Sequence, residues 1–346
     1  MKNLSILLIS IVLAVLLKDC SPDTGQQIDE QFWIRNNGAD MPVYVHGNSE
    51  SNIFVIILHG AGSFGLAFRD GAIREELESK YVMIYFDQRG QSMAQGNFDR
   101  PENLIETMAD DVEQLTRIVK MKFGADIHLF LMGHSWGGLL GGTVLLTGTN
   151  QDEYEGWISV DAASDIPLAS HARKGFMMQV ADEHIANNIE TSAWQELKDK
   201  LEPLDSASAE DYNMILAQVV TTNHLLVSSG TVPSSMSAEK VYRAVMDNNP
   251  INWLLSNYFN QPIKTAVELD YSLTNLYGNL HIPSLFITGK YDASVPPVVT
   301  DTIYKRAGSA DKTMLVFEHS MHHPFDTESE RFASEVTAFI DRVTGN

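Results

Sequence analysis

The pentapeptide Gly133-His134-Ser135-Trp136-Gly137 lies between an apolar run, His128 to Met132, and a run of small and apolar residues, Gly138 to Leu146. A G-x-S-x-G pattern in that setting marks a sharp strand-to-helix corner, with the serine hydroxyl exposed above a sheet. His128-Leu129-Phe130-Leu131-Met132 reads as a buried strand. Gly141 and Gly142 let the following helix lie close to the sheet.

The rest of the chain supplies the sheet. Apolar runs rich in Val, Ile, Leu and aromatics read as strands at Ile53 to His59, Tyr81 to Asp87, Trp157 to Asp161, Ser284 to Gly289 and Thr313 to Glu318. Phe32 to Arg35 and Val43 to His46 form an expected hairpin around Asn37-Gly38. Helical patterns fall at Ala72 to Lys80, Leu104 to Phe123, Leu139 to Leu146, Val298 to Arg306 and Glu330 to Val343. Strands alternating with helices argue for a mostly parallel sheet with helices on both faces. Their unbroken apolar character fits a sheet buried on both sides.

With 346 residues, 44% of them hydrophobic, the chain can bury a large core and still carry an insertion. Residues 166–278 have a different texture: Met177, Met178, Met214, Met236 and Met246, and helix-like stretches broken by Pro203, Pro233, Pro250 and Pro262. This segment reads as a helical cap at the C-terminal edge of the strands, where open α/β sheets bind ligands. The core would then comprise residues 28–165 and 279–346.

A serine nucleophile needs a base, an orienting acid and oxyanion donors. Asp292 lies in Gly289-Lys290-Tyr291-Asp292-Ala293-Ser294-Val295-Pro296, just past the strand ending at Gly289. His319, His322 and His323 follow the strand ending near Glu318. Asp161 and Asp165, after the strand next to the serine's own, compete for the place of the acid. The order serine, acid, histidine is that of the α/β-hydrolases.

The chain resembles an α/β-hydrolase over nearly all of residues 28–346. Within that superfamily it is most similar to the proline iminopeptidase-like group. The resemblance is carried by His59-Gly60-Ala61-Gly62, Phe86-Asp87-Gln88-Arg89-Gly90-Gln91-Ser92, Gly133-His134-Ser135-Trp136-Gly137-Gly138 and Gly289-Lys290-Tyr291-Asp292. It departs in two places. That group usually has Pro in the His-Gly turn, where this chain has Ala61-Gly62, and Gly-Gly-Ser before Trp, where this chain has Gly133-His134-Ser135. Gly-His-Ser is common among esterases.

The resemblance implies roles. Ser135 would attack an acyl carbon, His322 would serve as base and then acid, and Asp292 would hold the imidazole's tautomer. His322 fits the family pattern because Ser320-Met321-His322-His323-Pro324 reads Ser, apolar, His, x, Pro. The N–H groups of Ala61 and Trp136 would bind the oxyanion. The expected activity is hydrolysis of an amide or ester, as an aminopeptidase of proline iminopeptidase type on a short peptide or small molecule. A carboxylesterase or lipase-like enzyme is the alternative, and a non-catalytic binding protein on the same fold is a third. Dehalogenases and epoxide hydrolases carry a carboxylate where this chain has Ser135.

Other residues read as scaffold. His59 and His134 flank glycines in tight turns, and Asp87 and Arg89 brace a loop. His171, His184 and His224 lack metal-ligand spacing. Gly60 to Gly65 lacks a phosphate-loop lysine and the dinucleotide fingerprint. No cofactor is expected. The formal net charge of −21 and the absence of a basic patch or motif exclude a nucleic-acid partner.

Met1-Lys2-Asn3 precedes an almost unbroken apolar run, Leu4 to Leu17. The run is short for a membrane span and has the proportions of a signal peptide, residues 1–20. Cys20, the only cysteine, follows it and resembles a lipoprotein processing site, although Lys18 and Asp19 stand where that pattern wants small residues. A cleaved secreted or periplasmic protein and an uncleaved anchor are the other two readings. All three put the body in the cell envelope or beyond, outside the cytoplasm. On the lipoprotein reading, Cys20→Ala moves the protein from the membrane to the soluble fraction and abolishes metabolic fatty-acid labelling.

Overall fold

The computed structural model describes residues 27–69, 71–94, 103–234 and 270–345. The apolar run before Cys20, Cys20 itself, Met236, Met246, Pro250 and Pro262 lie outside the described residues.

Eight strands form one sheet: β1 (Gln27–Asn36), β2 (Ala39–Asn48), β3 (Ile53–Leu58), β4 (Val82–Phe86), β5 (His128–His134), β6 (Gly156–Val160), β7 (Ser284–Gly289) and β8 (Lys312–Phe317). Their order is β1-β2-β4-β3-β5-β6-β7-β8. Only the β1–β2 and β2–β4 pairs are antiparallel. Asn37 and Gly38, both at positive φ (44° and 79°), make the tight turn that joins β1 to β2. β1 extends well past the predicted Phe32 to Arg35, because Gln27 to Gln31 continue the pairing with β2. β3 to β7 are the continuous apolar strands of the sequence, and almost every side chain on them is buried.

The helices are α1 (Leu104–Phe123), α2 (Trp136–Leu145), α3 (Ile166–Ala186), α4 (Thr191–Leu201), α5 (Ala209–Ser228), α6 (Pro297–Arg306) and α7 (Ser329–Thr344). Leu104, Met108, Val112, Leu115 and Val119 recur at helical spacing and put one stripe of α1 onto the sheet, beside α2 and α6. Phe332, Val336, Phe339 and Ile340 of α7 cover the opposite face. The predicted helix from Ala72 to Lys80 begins as a wider π-helical turn over Ile73–Leu77. Just past it the Glu78 carboxylate is buried and accepts from Arg69 Nε (2.8 Å) and Tyr85 Oη (2.7 Å).

Between β6 and β7 the chain forms α3, α4 and α5, which share a hydrophobic core of their own around Met177, Trp194, Leu197, Leu201 and Leu226. That core continues into Tyr291, Ala293 and Met321, which flank Asp292 and His322. Leu273 and Tyr277, further along, pack instead in the main core beneath α2.

The β5–α2 junction rests on close contact. A Cβ at Gly137 would overlap the carbonyl oxygen of Leu58 on β3, and one at Gly141 would overlap the buried ring of Trp157 on β6. Backbone cannot give way as a side chain can, so Gly137→Ala is expected to cost about 1–3 kcal/mol or more in chemical denaturation.

Candidate active site

Ser135 ends β5 and begins α2 with φ 54° and ψ −117°, a conformation that strains a residue bearing a side chain. Four hydrogen bonds hold it there. Its N–H donates to Val160 O (3.0 Å), and its carbonyl accepts from Gly138 N (3.0 Å), Leu139 N (3.1 Å) and Ala163 N (3.0 Å). The corner is thereby locked to β6 as well as to its own helix.

Asp292 and His322 reach each other from the loops after β7 and β8. His322 Nδ1–H donates to Asp292 Oδ2 at 2.7 Å. The other oxygen, Oδ1, accepts from Ser294 N (2.8 Å) and Val295 N (3.0 Å). Asp292 is fully buried. Burial raises its carboxyl to about 7, against the pull of those two N–H donors, and lowers the His322 imidazole. His319 and His323 are exposed, so of the three histidines it is His322 that the fold brings to the acid.

Asp161 lies behind this pair. It is fully buried at the end of β6, with φ 43°. Its Oδ1 accepts from Gly289 N at 2.9 Å, and its Oδ2 is buried with no hydrogen-bond partner among the described residues. Burial and then the Asp292 charge push it well above the ordinary carboxylate range. A like charge beside a buried carboxyl disfavours its ionised form, so both effects favour the neutral acid at Asp161. Asp165, the other competitor, caps α3: its Oδ1 accepts from Leu168 N (2.8 Å) and its Oδ2 from Ser272 Oγ (2.6 Å).

The residues read as scaffold bind the site's frame. His134 Nε2–H donates to the carbonyl of His322 at 2.7 Å, and burial holds the ring neutral. His59 Nδ1–H donates to Gly60 O (2.8 Å), so its Nε2 accepts from Gln88 N (3.2 Å). Gln88 Nε2 donates to His59 O (2.7 Å), and Gln91 Oε1 accepts from Gly62 N (3.0 Å). The Asp-Gln-Arg-Gly-Gln run thus braces the turn that carries Ala61. Among the described residues, no backbone hydrogen bond takes the N–H of Ala61 or of Trp136, which leaves both N–H groups open for the oxyanion role expected of them. Asp87 accepts from Gly65 N (2.7 Å), and Arg89 is paired side-on with Asp111 through Nε (2.7 Å) and Nη2 (2.6 Å).

Among the described residues, His134, Asp161 and His322 bring one ligand-type atom each within 4.8 Å of one another. Both imidazoles already donate, one to a carbonyl and the other to Asp292. The cluster therefore forms the back of the serine site. In the insertion, His171 Nδ1–H donates to Pro167 O (2.7 Å), and His184 Nε2 bonds Thr231 Oγ1 (2.8 Å) while its ring stacks on Trp194.

Two residues at the site escaped sequence reasoning. Gln91 sits inside a quoted motif without an assigned task. Arg173 lies on α3 between Ala169 and Met177, on the face that turns inward. The signal for Arg173 was a charge at an apolar position of the helix.

A strained serine corner above a mostly parallel sheet, with a histidine–carboxylate pair from the loops after β7 and β8, defines the α/β-hydrolase class. The profile of the family described as serine aminopeptidase, S33, matches residues 49–330. The chain belongs to this family, and it is a hydrolase. It is similar to the "Probable aminopeptidase YbaC" of Bacillus subtilis (strain 168), at 20% identity over 85% of this chain and 90% of that one. Among solved structures it resembles the proline iminopeptidase of Mycobacterium smegmatis (TM-score 0.62, 15% identity, 91% of this chain and 98% of that one). It also resembles an esterase from Rhodococcus sp. ECU1013 (TM-score 0.57, 19% identity, 92% and 99%). At such identities the two structures speak for the fold.

The Asp161 arrangement has a measurable consequence. As pH falls, the Asp292–His322 pair takes up one proton, and the ring resonances of His322 report the midpoint. Asp161→Asn replaces a carboxyl that burial favours as the neutral acid with a neutral amide, and leaves that midpoint in place. A downward shift in Asp161→Asn would mean that Asp161 is ionised in the wild type.

Proposed function

We propose that the protein is a serine hydrolase acting through an acyl-enzyme, most specifically an aminopeptidase of proline iminopeptidase type. The observation that carries this is the 2.7 Å His322–Asp292 bond, in the loops flanking the strained Ser135 corner. The S33 family profile and the similarity to an aminopeptidase of Bacillus subtilis support the peptidase assignment.

In this reading Ser135 Oγ attacks the scissile carbonyl while its proton passes to His322 Nε2. Asp292 stabilises the resulting imidazolium through Nδ1–H. The N–H groups of Ala61 and Trp136 receive the oxyanion. Removing one such donor commonly costs about 2.7–4 kcal/mol. Collapse of the tetrahedral species breaks the C–N or C–O bond, and the leaving amine or alcohol takes the proton from His322. A water then attacks the acyl-enzyme by the same proton path and frees Ser135. Residues 166–278 act as a cap that selects the substrate, and the enzyme works in the cell envelope, tethered through Cys20.

One feature favours a second reading. Gly133-His134-Ser135 is the esterase-like form of the corner, and here His134 has a defined bond to the His322 loop. An esterase on small acyl esters would use the same residues.

The test is direct. A fluorophosphonate probe labels wild-type Ser135, as located by mass spectrometry, and does not label Ser135→Ala. His322→Ala loses about a thousandfold or more in kcat, on the scale of other triad losses, and His323→Ala loses far less. Faster turnover of prolyl anilide than of its N-acetylated form marks the aminopeptidase. Turnover of short nitrophenyl esters alone marks the esterase. Equal labelling of Ser135→Ala removes the nucleophile assignment.

A further inference from the structure

Arg173 is only 6% exposed, yet most of its hydrogen-bonding capacity is unused. Nη2 donates to the carbonyl of Ser294 at 2.9 Å. Nε and Nη1 are buried and have no partner. Among the described residues no carboxylate pairs with it, and the ring of Tyr212 lies 5.7 Å from its Cζ. Arg89, the other deeply buried arginine, is by contrast paired with Asp111 and with the carbonyls of Asn36 and Asn37. Leaving charged donors buried and unpaired is costly. A tie between α3 and the acid loop would need only the Nη2 bond, so the remaining donors call for an acceptor that the described residues do not supply.

The location of Arg173 indicates where that acceptor comes from. Ser294 is two residues beyond Asp292 and donates its own N–H to Asp292 Oδ1. The Arg173 charge also reaches the pair itself, lowering both Asp292 and His322. The guanidinium therefore sits between the helical insertion and the acid loop, within electrostatic reach of the candidate triad. The whole chain carries a formal charge of −21, which disfavours anions at long range. A buried, unpaired cation at the site has the opposite local effect.

We infer that Arg173 is a substrate-recognition residue whose buried, under-satisfied guanidinium receives a carboxylate carried by the substrate. This rests on the serine-hydrolase reading above and adds to it the chemical class of the substrate. A carboxylate makes charge-assisted bonds to a guanidinium. A neutral analogue leaves the buried donors unmade, which is the strongest basis for rejecting it.

Two ester pairs test this and separate the two sides of the scissile bond. 4-Nitrophenyl butyrate is compared with 4-nitrophenyl hemiglutarate, and phenyl acetate with 4-acetoxybenzoate. In the wild type, the charged member of one pair is expected to have the higher kcat/KM by about tenfold or more, the scale of a hydrogen bond to a charged group. Arg173→Met collapses that ratio, and Arg173→Lys retains part of it. Should Arg173→Met not fold, the wild type decides through its labelling rate: glutarate slows fluorophosphonate labelling of Ser135, and the uncharged glutaramide does not. No preference for the charged ester in either pair, together with no selective protection by glutarate, overturns the inference while leaving the hydrolase reading standing. Absence of labelling at Ser135 in untreated enzyme removes both.

Discussion

The Ser135 corner is the constraint on which the rest of the site depends. A non-glycine residue at φ 54° costs on the order of 1–3 kcal/mol and persists only where its surroundings over-determine it. Here β6 supplies the Val160 carbonyl, α2 supplies the N–H groups of Gly138 and Leu139, and Ala163 closes the set. The contact of Gly137 with the Leu58 carbonyl then presses α2 against β3. Strand, corner and helix are consequently one rigid unit, and the serine is placed by the sheet rather than by its loop.

A polar frame behind that unit holds the other groups in register. His134, the residue before the serine, bonds the carbonyl of His322, so the nucleophile's corner and the base's loop are joined directly. Gln88 and Gln91 do the same for the turn at Ala61. Asp161 links the end of β6 to the Gly289 N–H. Each of these side chains is buried and makes at least one of these bonds, which ties the frame together. Because His59 and His134 are held neutral by burial, their tautomers follow from the bonds they make.

The helical insertion carries its own core, and that core reaches Tyr291, Ala293 and Met321 beside the acid and the histidine. The insertion and the geometry of the pair are therefore coupled: whatever moves α3 also moves the Ser294 carbonyl that Arg173 holds. In the role inferred for it, Arg173 would let this chain choose among substrates by charge.

Much of this was legible in the sequence, because apolar periodicity is a local property of a chain. β3 to β8 and α1 fall where their residue patterns put them, and the serine corner is marked by its glycines. The resemblance to the proline iminopeptidase-like group pointed to Asp292 and His322, which the fold joins by a 2.7 Å hydrogen bond. Sequence also determined that the chain holds a single cysteine and a strong negative charge. The π-helical turn over Ile73–Leu77, the placement of Asp161 beside Asp292 and the inward face of Arg173 were not legible, because each depends on residues far apart in the chain. Spacing alone left His319, His322 and His323 as rivals. Tertiary structure decided among them physically: only His322 turns toward the buried Asp292 carboxylate, while its neighbours face solvent.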